Sequence, residues 1–209
     1  MTGFQTLTSP QTSLQGIKPQ RVGIYGGTFN PIHNAHLLVA EQVRTILSLN
    51  WVDFMPDNIP PHIDKKTAID PKLRVEMLKL ALENNPHFGI DKADVNRPGK
   101  SYTYDTMKKL IEDHPLTEYY FIIGGDMVDY LPKWYRINDL IRLPRFHFVG
   151  VRRKGAQNET KYPVIWVDVP TVEFSSTDIR QRIVTGQSIK YMVPAKVEQF
   201  IKENQLYYE

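Results

Sequence analysis

Two short segments carry side chains whose types and spacing suit phosphate chemistry. The first is Gly26-Gly27-Thr28-Phe29-Asn30-Pro31-Ile32-His33-Asn34-Ala35-His36. Glycines let a chain turn sharply and let backbone N–H groups approach an anion, and a helix beginning beyond them adds the positive end of its dipole. His33 and His36 are three residues apart, so on a first helical turn their rings face one side. There they can donate hydrogen bonds, or lend positive charge, to one polyphosphate. The competing reading of such a pair is a helix cap or two satisfied surface histidines; the glycine-rich setting favours the phosphate.

The second segment is Ser175-Ser176-Thr177-Asp178-Ile179-Arg180. Ser175 or Ser176 as N-cap, with Asp178 near the third helical position, explains these types by capping alone. Thr177 and Arg180 are three apart and Ser176 and Arg180 four apart, which also puts hydroxyls and a guanidinium on one face beside free amides. That arrangement can hold a phosphate. Other phosphate motifs are excluded: the turn lacks G-x-G-x-x-G, and Pro98-Gly99-Lys100-Ser101 has Asp94 where a P-loop needs its first glycine. The absence of cysteine and of H-E-x-x-H argues against a zinc centre.

To position these segments the chain needs a strand before the first and a helix after it. Val22, Ile24 and Tyr25 read as a short buried strand broken by Gly26 and Gly27. Leu37, Ala40, Val43, Ile46 and Leu47 recur at helical spacing, and Trp51 to Met55 forms the next strand. A helix over about Pro71 to Asn84 follows, its apolar face carrying Leu73, Met77, Leu80 and Ala81. Next come a strand around Phe88 to Ala93 and a helix from about Tyr104 to Asp113.

Tyr119 to Ile123 is a continuous apolar run ending in Gly124 and Gly125, as in a central strand buried on both faces, with Asp126 at its carboxyl end. Phe146 to Val151 and Val164 to Val169 complete five or six strands separated by helices. The pattern predicts an α/β fold: a doubly wound parallel sheet, binding ligands at the carboxyl ends of its strands, with a small C-terminal helical part. The last helix, Pro194 to Leu206, reads as a packing element without chemistry of its own.

The 209 residues suit one domain over 21–209, preceded by a flexible Thr-, Ser- and Gln-rich tail over 1–20 with too few large apolar residues to order itself. A net charge of +3, with both signs interspersed, gives no support for nucleic acid binding. No apolar run approaches the roughly 20 residues that cross a bilayer, and the first residues lack a signal-peptide core, so no membrane association is expected. With no cysteine, the chain fits a reducing compartment, read as the cytoplasm.

Taken together, G-G-T-F-N-P-I-H-x-x-H and S-S-T-D-I-R resemble the two signatures of the nucleotidylyltransferase superfamily, G-x-F-x-P-x-H-x-G-H and S-x-T-x-x-R, in the same order and context. Within it the chain is similar, from about Arg21 onward, to the bacterial nicotinate mononucleotide adenylyltransferases. Pro60-Pro61-His62, Arg97 to Thr106, Ile123-Gly124-Gly125-Asp126 and Leu131-Pro132-Lys133-Trp134-Tyr135 look like that family's substrate-side segments. Two positions depart from the pattern. Ala35 stands where the motif has glycine, and Ile63-Asp64 stand where a lysine follows Pro-Pro-His, which leaves Lys65 or Lys66 to meet substrate phosphate.

The resemblance implies a Rossmann-like nucleotidylyltransferase fold and a reaction. The 5′-phosphate of nicotinate mononucleotide would attack the α-phosphorus of ATP, giving nicotinate adenine dinucleotide and pyrophosphate. It implies that His33, His36 and Arg180 carry catalysis and that Gly26, Gly27, Thr28, Phe29, Ser176 and Thr177 join them in contacting ATP. Thr103, Trp134, Tyr135 and His62 would bind the nicotinate nucleotide, Trp134 by stacking, and Asp126 would lie near a ribose or the metal. Mg²⁺ is the implied cofactor, held mainly by triphosphate oxygens; a homo-oligomer is compatible with the reading. Its rivals are a transferase acting on another acceptor, such as phosphopantetheine, and a nucleotide-binding module without turnover.

Overall fold

The computed structural model describes residues 19–58, 68–152, 160–170 and 172–208. Residues 1–18 of the expected tail, and the Pro60-Pro61-His62 segment with Lys65 and Lys66, lie outside the described residues. Among those described, β1 (Gln20–Gly27), β2 (Trp51–Pro56), β3 (Phe88–Ile90), β4 (Thr117–Gly124), β5 (Phe146–Arg152) and β6 (Val164–Asp168) form one parallel sheet. Its order is β3-β2-β1-β4-β5-β6. The helices are α1 (Asn34–Ile46), α2 (Pro71–Leu82), α3 (Thr103–Asp113), α4 (Gly125–Val128), α5 (Ile137–Leu140), α6 (Ser176–Val184) and α7 (Ala195–Glu203).

Alternation along the strands divides the core into two layers, because successive side chains leave a strand on opposite faces. Val22, Ile24, Tyr119, Phe121 and Ile123 pack with Met107, Ile111, Val128 and Leu140 of α3, α4 and α5. Val52, Phe54, Tyr120 and Ile122 pack with Ala40, Val43, Met77, Leu78, Ile179 and Val197 of α1, α2, α6 and α7. Helices on both faces make the sheet doubly wound. The strand order reverses at β1 and β4, which opens a crevice at their carboxyl ends.

Three local expectations are corrected. β1 is not broken by its glycines: Gly26 and Gly27 pair with Met55 and Pro56 inside the sheet. Crowding favours glycine there, since a Cβ on Gly26 would stand 2.8 Å from Phe121 Cζ, closer than a side chain tolerates, and one on Gly27 would be tight at 3.1 Å from Phe29 Cζ. β3 stops at Ile90, because the Asp91 carboxylate accepts from the Ala93 N–H at 2.7 Å and turns the chain. The buried face of α2 is Arg74, Val75, Met77, Leu78 and Leu82, so it includes a charged residue that the apolar pattern passed over.

Candidate active site

The carboxyl ends of β1, β2 and β4 open into a cavity of about 520 Å³, a size that suits a nucleotide. Its walls are Gly26, Gly27 and Thr28 after β1, Met55 and Asp57 from β2 and just beyond, and Phe121 and Ile123 of β4. Asp94, Ser101, Tyr102 and Thr103 join from the approach to α3, with Met127, Lys133, Trp134 and Tyr135 from beyond β4. Segments far apart in sequence therefore face one space. A smaller groove of about 320 Å³ beside Phe146, His147 and Ile165 lies towards the amino ends of β5 and β6, away from both motifs.

At one end of the cavity Trp134 meets Phe121 and Phe148 edge-on, with centroids 6.0 and 5.8 Å apart, and Tyr135 packs on Tyr102 at 4.6 Å. Trp134 Nε1 is buried without a hydrogen-bond partner among the described residues. A buried N–H left unpaired is costly, and an acceptor on a ligand would remove that cost.

At the other end the loop after β1 is held from behind. The fully buried Arg74 donates from Nη1 to the Thr28 carbonyl at 2.6 Å and from Nη2 to the Asp57 carbonyl at 2.7 Å. Thr28 Oγ1 donates to Asp57 Oδ2 at 2.9 Å. Burial pushes the Asp57 carboxyl up, opposed by the Arg74 guanidinium and the Thr28 hydroxyl. Phe29 takes a left-handed backbone conformation at φ 48, a strain fixed by ring contacts with Tyr25, His36 and Phe54.

His33 is the N-cap of α1 and His36 its third residue, and their rings stack with centroids 3.6 Å apart. The His33 backbone N–H donates to His36 Nδ1 at 3.3 Å. With Nδ1 accepting, the neutral His36 ring carries its proton on Nε2. Burial lowers His33 from 6.5 to about 4, against the opposing pull of its own backbone and the Asp178 carboxylate. His36 is lowered too, by burial first and then by His33. Both shifts favour neutral rings near pH 7 in the unliganded protein, and of the two properties expected of them this favours N–H donation over positive charge.

That neutrality has a cost in acid. The unfolded chain takes up the His33 proton near 6.5 and the folded protein only near 4, so stability falls as pH drops through that window. The expected slope for this group is about 1.4 kcal/mol per pH unit. Denaturant melts across the window should show a steeper loss for the wild type than for His33→Gln.

In the second motif the capping reading holds for Ser175 and Asp178. Ser175 and Asp178 form a capping box, the Asp178 carboxylate accepting from the Ser175 amide and hydroxyl at 2.7 Å each. Ser176 and Arg180 turn instead to the first motif. Ser176 Oγ donates to the Pro31 carbonyl at 2.8 Å, Arg180 Nη1 donates to the Asn30 carbonyl at 2.8 Å, and Arg180 Nη2 donates to Thr177 Oγ1 at 3.2 Å. The two motifs are thus one structure, joined to the cavity at Thr28.

Of the residues singled out from sequence, Gly26, Gly27, Thr28, Thr103, Trp134 and Tyr135 line the cavity. Phe29, His33, His36, Ser176, Thr177 and Arg180 form the adjoining cluster. Asp126 is exposed at the start of α4 and is not part of the lining, although its neighbour Met127 is. His62 lies outside the described residues.

Sequence reasoning missed four residues. Asp57 directly follows β2, a position at a strand's carboxyl end that could have flagged it. Arg74 is a charge on an apolar helix face. Asp94 is buried, accepting from Thr106 Oγ1 at 2.6 Å with Arg97 3.9 Å away. Tyr207, beyond the last helix, donates to Asn30 Oδ1 at 2.8 Å, so the C-terminal end does touch the site. Nothing local marks that contact.

A six-stranded parallel sheet with a glycine-histidine loop after β1 and a Ser-Thr-Arg helix start after β6 defines a nucleotidyltransferase of the cytidylyltransferase-like class, whose family model matches residues 24–182. A Lactiplantibacillus plantarum protein named "Probable nicotinate-nucleotide adenylyltransferase" is 51% identical over 204 residues, spanning 97% of this chain and 96% of its own. An Enterococcus faecalis protein of the same name is 52% identical over 188 residues, spanning 90% and 85%. The chain belongs to the nicotinate-nucleotide adenylyltransferase family. It shares the fold of a solved Plasmodium falciparum nicotinic acid mononucleotide adenylyltransferase complexed with NaAD, with a TM-score of 0.74 at 20% identity over 90% of this chain and 97% of that one.

Proposed function

We propose that this protein transfers the adenylyl group of ATP to nicotinate mononucleotide, giving nicotinate adenine dinucleotide and pyrophosphate in NAD biosynthesis. The observation that carries the reading is the single cavity with Gly26, Gly27 and Thr28 at one end and Thr103, Trp134 and Tyr135 at the other. An aromatic ring and a phosphate of one nucleotide can occupy those ends together. Backbone N–H groups around Thr103 and Tyr135 would meet the nicotinate carboxylate, a charge-assisted contact that an amide cannot reproduce.

The attacking phosphate is already ionised near neutral pH, so no general base is needed, and the protein's work is positioning and charge stabilisation. In this reading His36 donates from Nε2 to the triphosphate. Arg180 uses two of the five guanidinium N–H donors on Asn30 and Thr177, which leaves others for phosphate oxygens. Ser176 and Thr177 complete the anion site. Mg²⁺ would arrive with ATP, held mainly by triphosphate oxygens and water. We assign Asp126 to that ion or to a ribose hydroxyl. No helix among the described residues is long and apolar enough to cross a membrane; the cytoplasmic setting proposed here rests on the cysteine-free sequence.

Pyrophosphate release from ATP and Mg²⁺ tests the reading, with nicotinate mononucleotide, nicotinamide mononucleotide or phosphopantetheine supplied separately at equal concentration. Release well above the others with the nicotinate compound is expected. Release with another acceptor alone keeps the class and removes the substrate, and ATP binding without any release leaves a silent nucleotide-binding module.

A further inference from the structure

Arg74 is the largest side chain in the fully buried set, with 0% of it exposed. A guanidinium in that setting is destabilising unless its donors are paired, and here they are spent on two strand ends. Besides the carbonyls of Thr28 and Asp57, Nη1 lies 3.3 Å from Asp57 Oδ1, Nη2 donates to the Asn58 carbonyl at 3.4 Å and Nε to the Ile69 carbonyl at 3.3 Å. In a trans peptide the C=O and the following N–H point in opposite directions. A carbonyl held towards Arg74 therefore turns the next N–H away from it. Asn58 bears this out, since its amide donates to Ser101 Oγ, a cavity-lining residue, at 3.4 Å.

We infer that Arg74 is a positioning residue for the proposed reaction: by holding the Thr28 and Asp57 carbonyls it turns the Phe29 N–H towards the bound nucleotides and the Asn58 N–H onto Ser101 of the cavity wall. The inference rests on the function proposed above. Arg74 touches no substrate itself. Its planar fork spans the ends of β1 and β2, while the Asp57 carboxylate beside it balances its charge and fixes the Thr28 hydroxyl. A lysine would keep the charge next to Asp57 but, as a single point, could not bridge two strand ends.

The test is R74K, with turnover measured per folded molecule and the folded fraction taken from a thermal melt. The kcat should fall about a hundredfold, the scale of an ångström-sized misplacement of reacting groups. The KM for nicotinate mononucleotide, whose ring end lies at Trp134 and Tyr135, should change by less than about threefold. A lower melting temperature with kcat per folded molecule near that of the wild type overturns the inference, because Arg74 would then only stabilise the fold.

Should R74K not fold, Arg74→Ala assayed with millimolar guanidinium ion replaces it. Recovered turnover supports the positioning role, and none in folded protein overturns it. Wild-type protein run alongside separates the two levels of the argument. Turnover by the wild type with R74K unaffected removes only the role of Arg74, whereas no turnover by the wild type removes the proposed reaction and this inference with it.

Discussion

Replacing Arg180 by methionine is expected to lower kcat about a thousandfold, the upper range for removing one donor preorganised for developing charge. Two losses combine. The remaining guanidinium donors no longer reach the triphosphate, and the Asn30 carbonyl loses the Arg180 donor, leaving the Ser176 hydrogen bond to Pro31 to tie the first motif to α6. The loss of one such hydrogen bond costs about 1 kcal/mol, which predicts a drop of a few degrees in melting temperature rather than loss of the fold. Arg180→Lys should recover part of kcat, because it restores the charge without the fork that spans Asn30 and Thr177. A methionine variant within about threefold of wild-type kcat would remove Arg180 from the chemistry.

His36→Ala should cost about a hundredfold in kcat through the loss of one aimed donor, a larger effect than its cost in folding stability, which comes from the ring contacts with Phe29 and His33 and the cap on the His33 amide. The geometry allows a sharper test. His36 Nδ1 accepts from the His33 amide, so the donor facing outward is Nε2, and glutamine places an N–H near that atom whereas asparagine places one near Nδ1. The expected order of kcat is histidine, then glutamine, then asparagine and alanine together. Asparagine exceeding glutamine would mean that the Nδ1 side, and so the helix cap, is what matters. These measurements need only pyrophosphate release and thermal melts on the same preparations.

Much of the fold could be read locally. The run Tyr119–Ile123 and the strand-helix alternation gave the doubly wound sheet, because burial on both faces leaves a continuous apolar signal. Gly26 and Gly27 line the cavity, but the turn expected of them is not what they form. They stay in the strand, and what crowds out a side chain is Phe121 of the neighbouring β4 at Gly26 and Phe29 of the following loop at Gly27. In the same way Ser175 and Asp178 obey local capping, while Ser176 and Arg180, of similar types and immediately adjacent, answer to the first motif.

Periodicity, turn chemistry and motif spacing act over a few residues, and from them follow the order of strands and helices, the end of the sheet that opens into the cavity and most of the motif residues gathered there. Contacts between distant segments lie beyond such rules. Arg74 reaching Thr28 and Asp57, Tyr207 reaching Asn30, and the burial that keeps His33 and His36 neutral each depend on which surfaces meet once the sheet is wound. A buried charge and a neutral imidazole are properties of their surroundings, and those surroundings exist only in the folded chain.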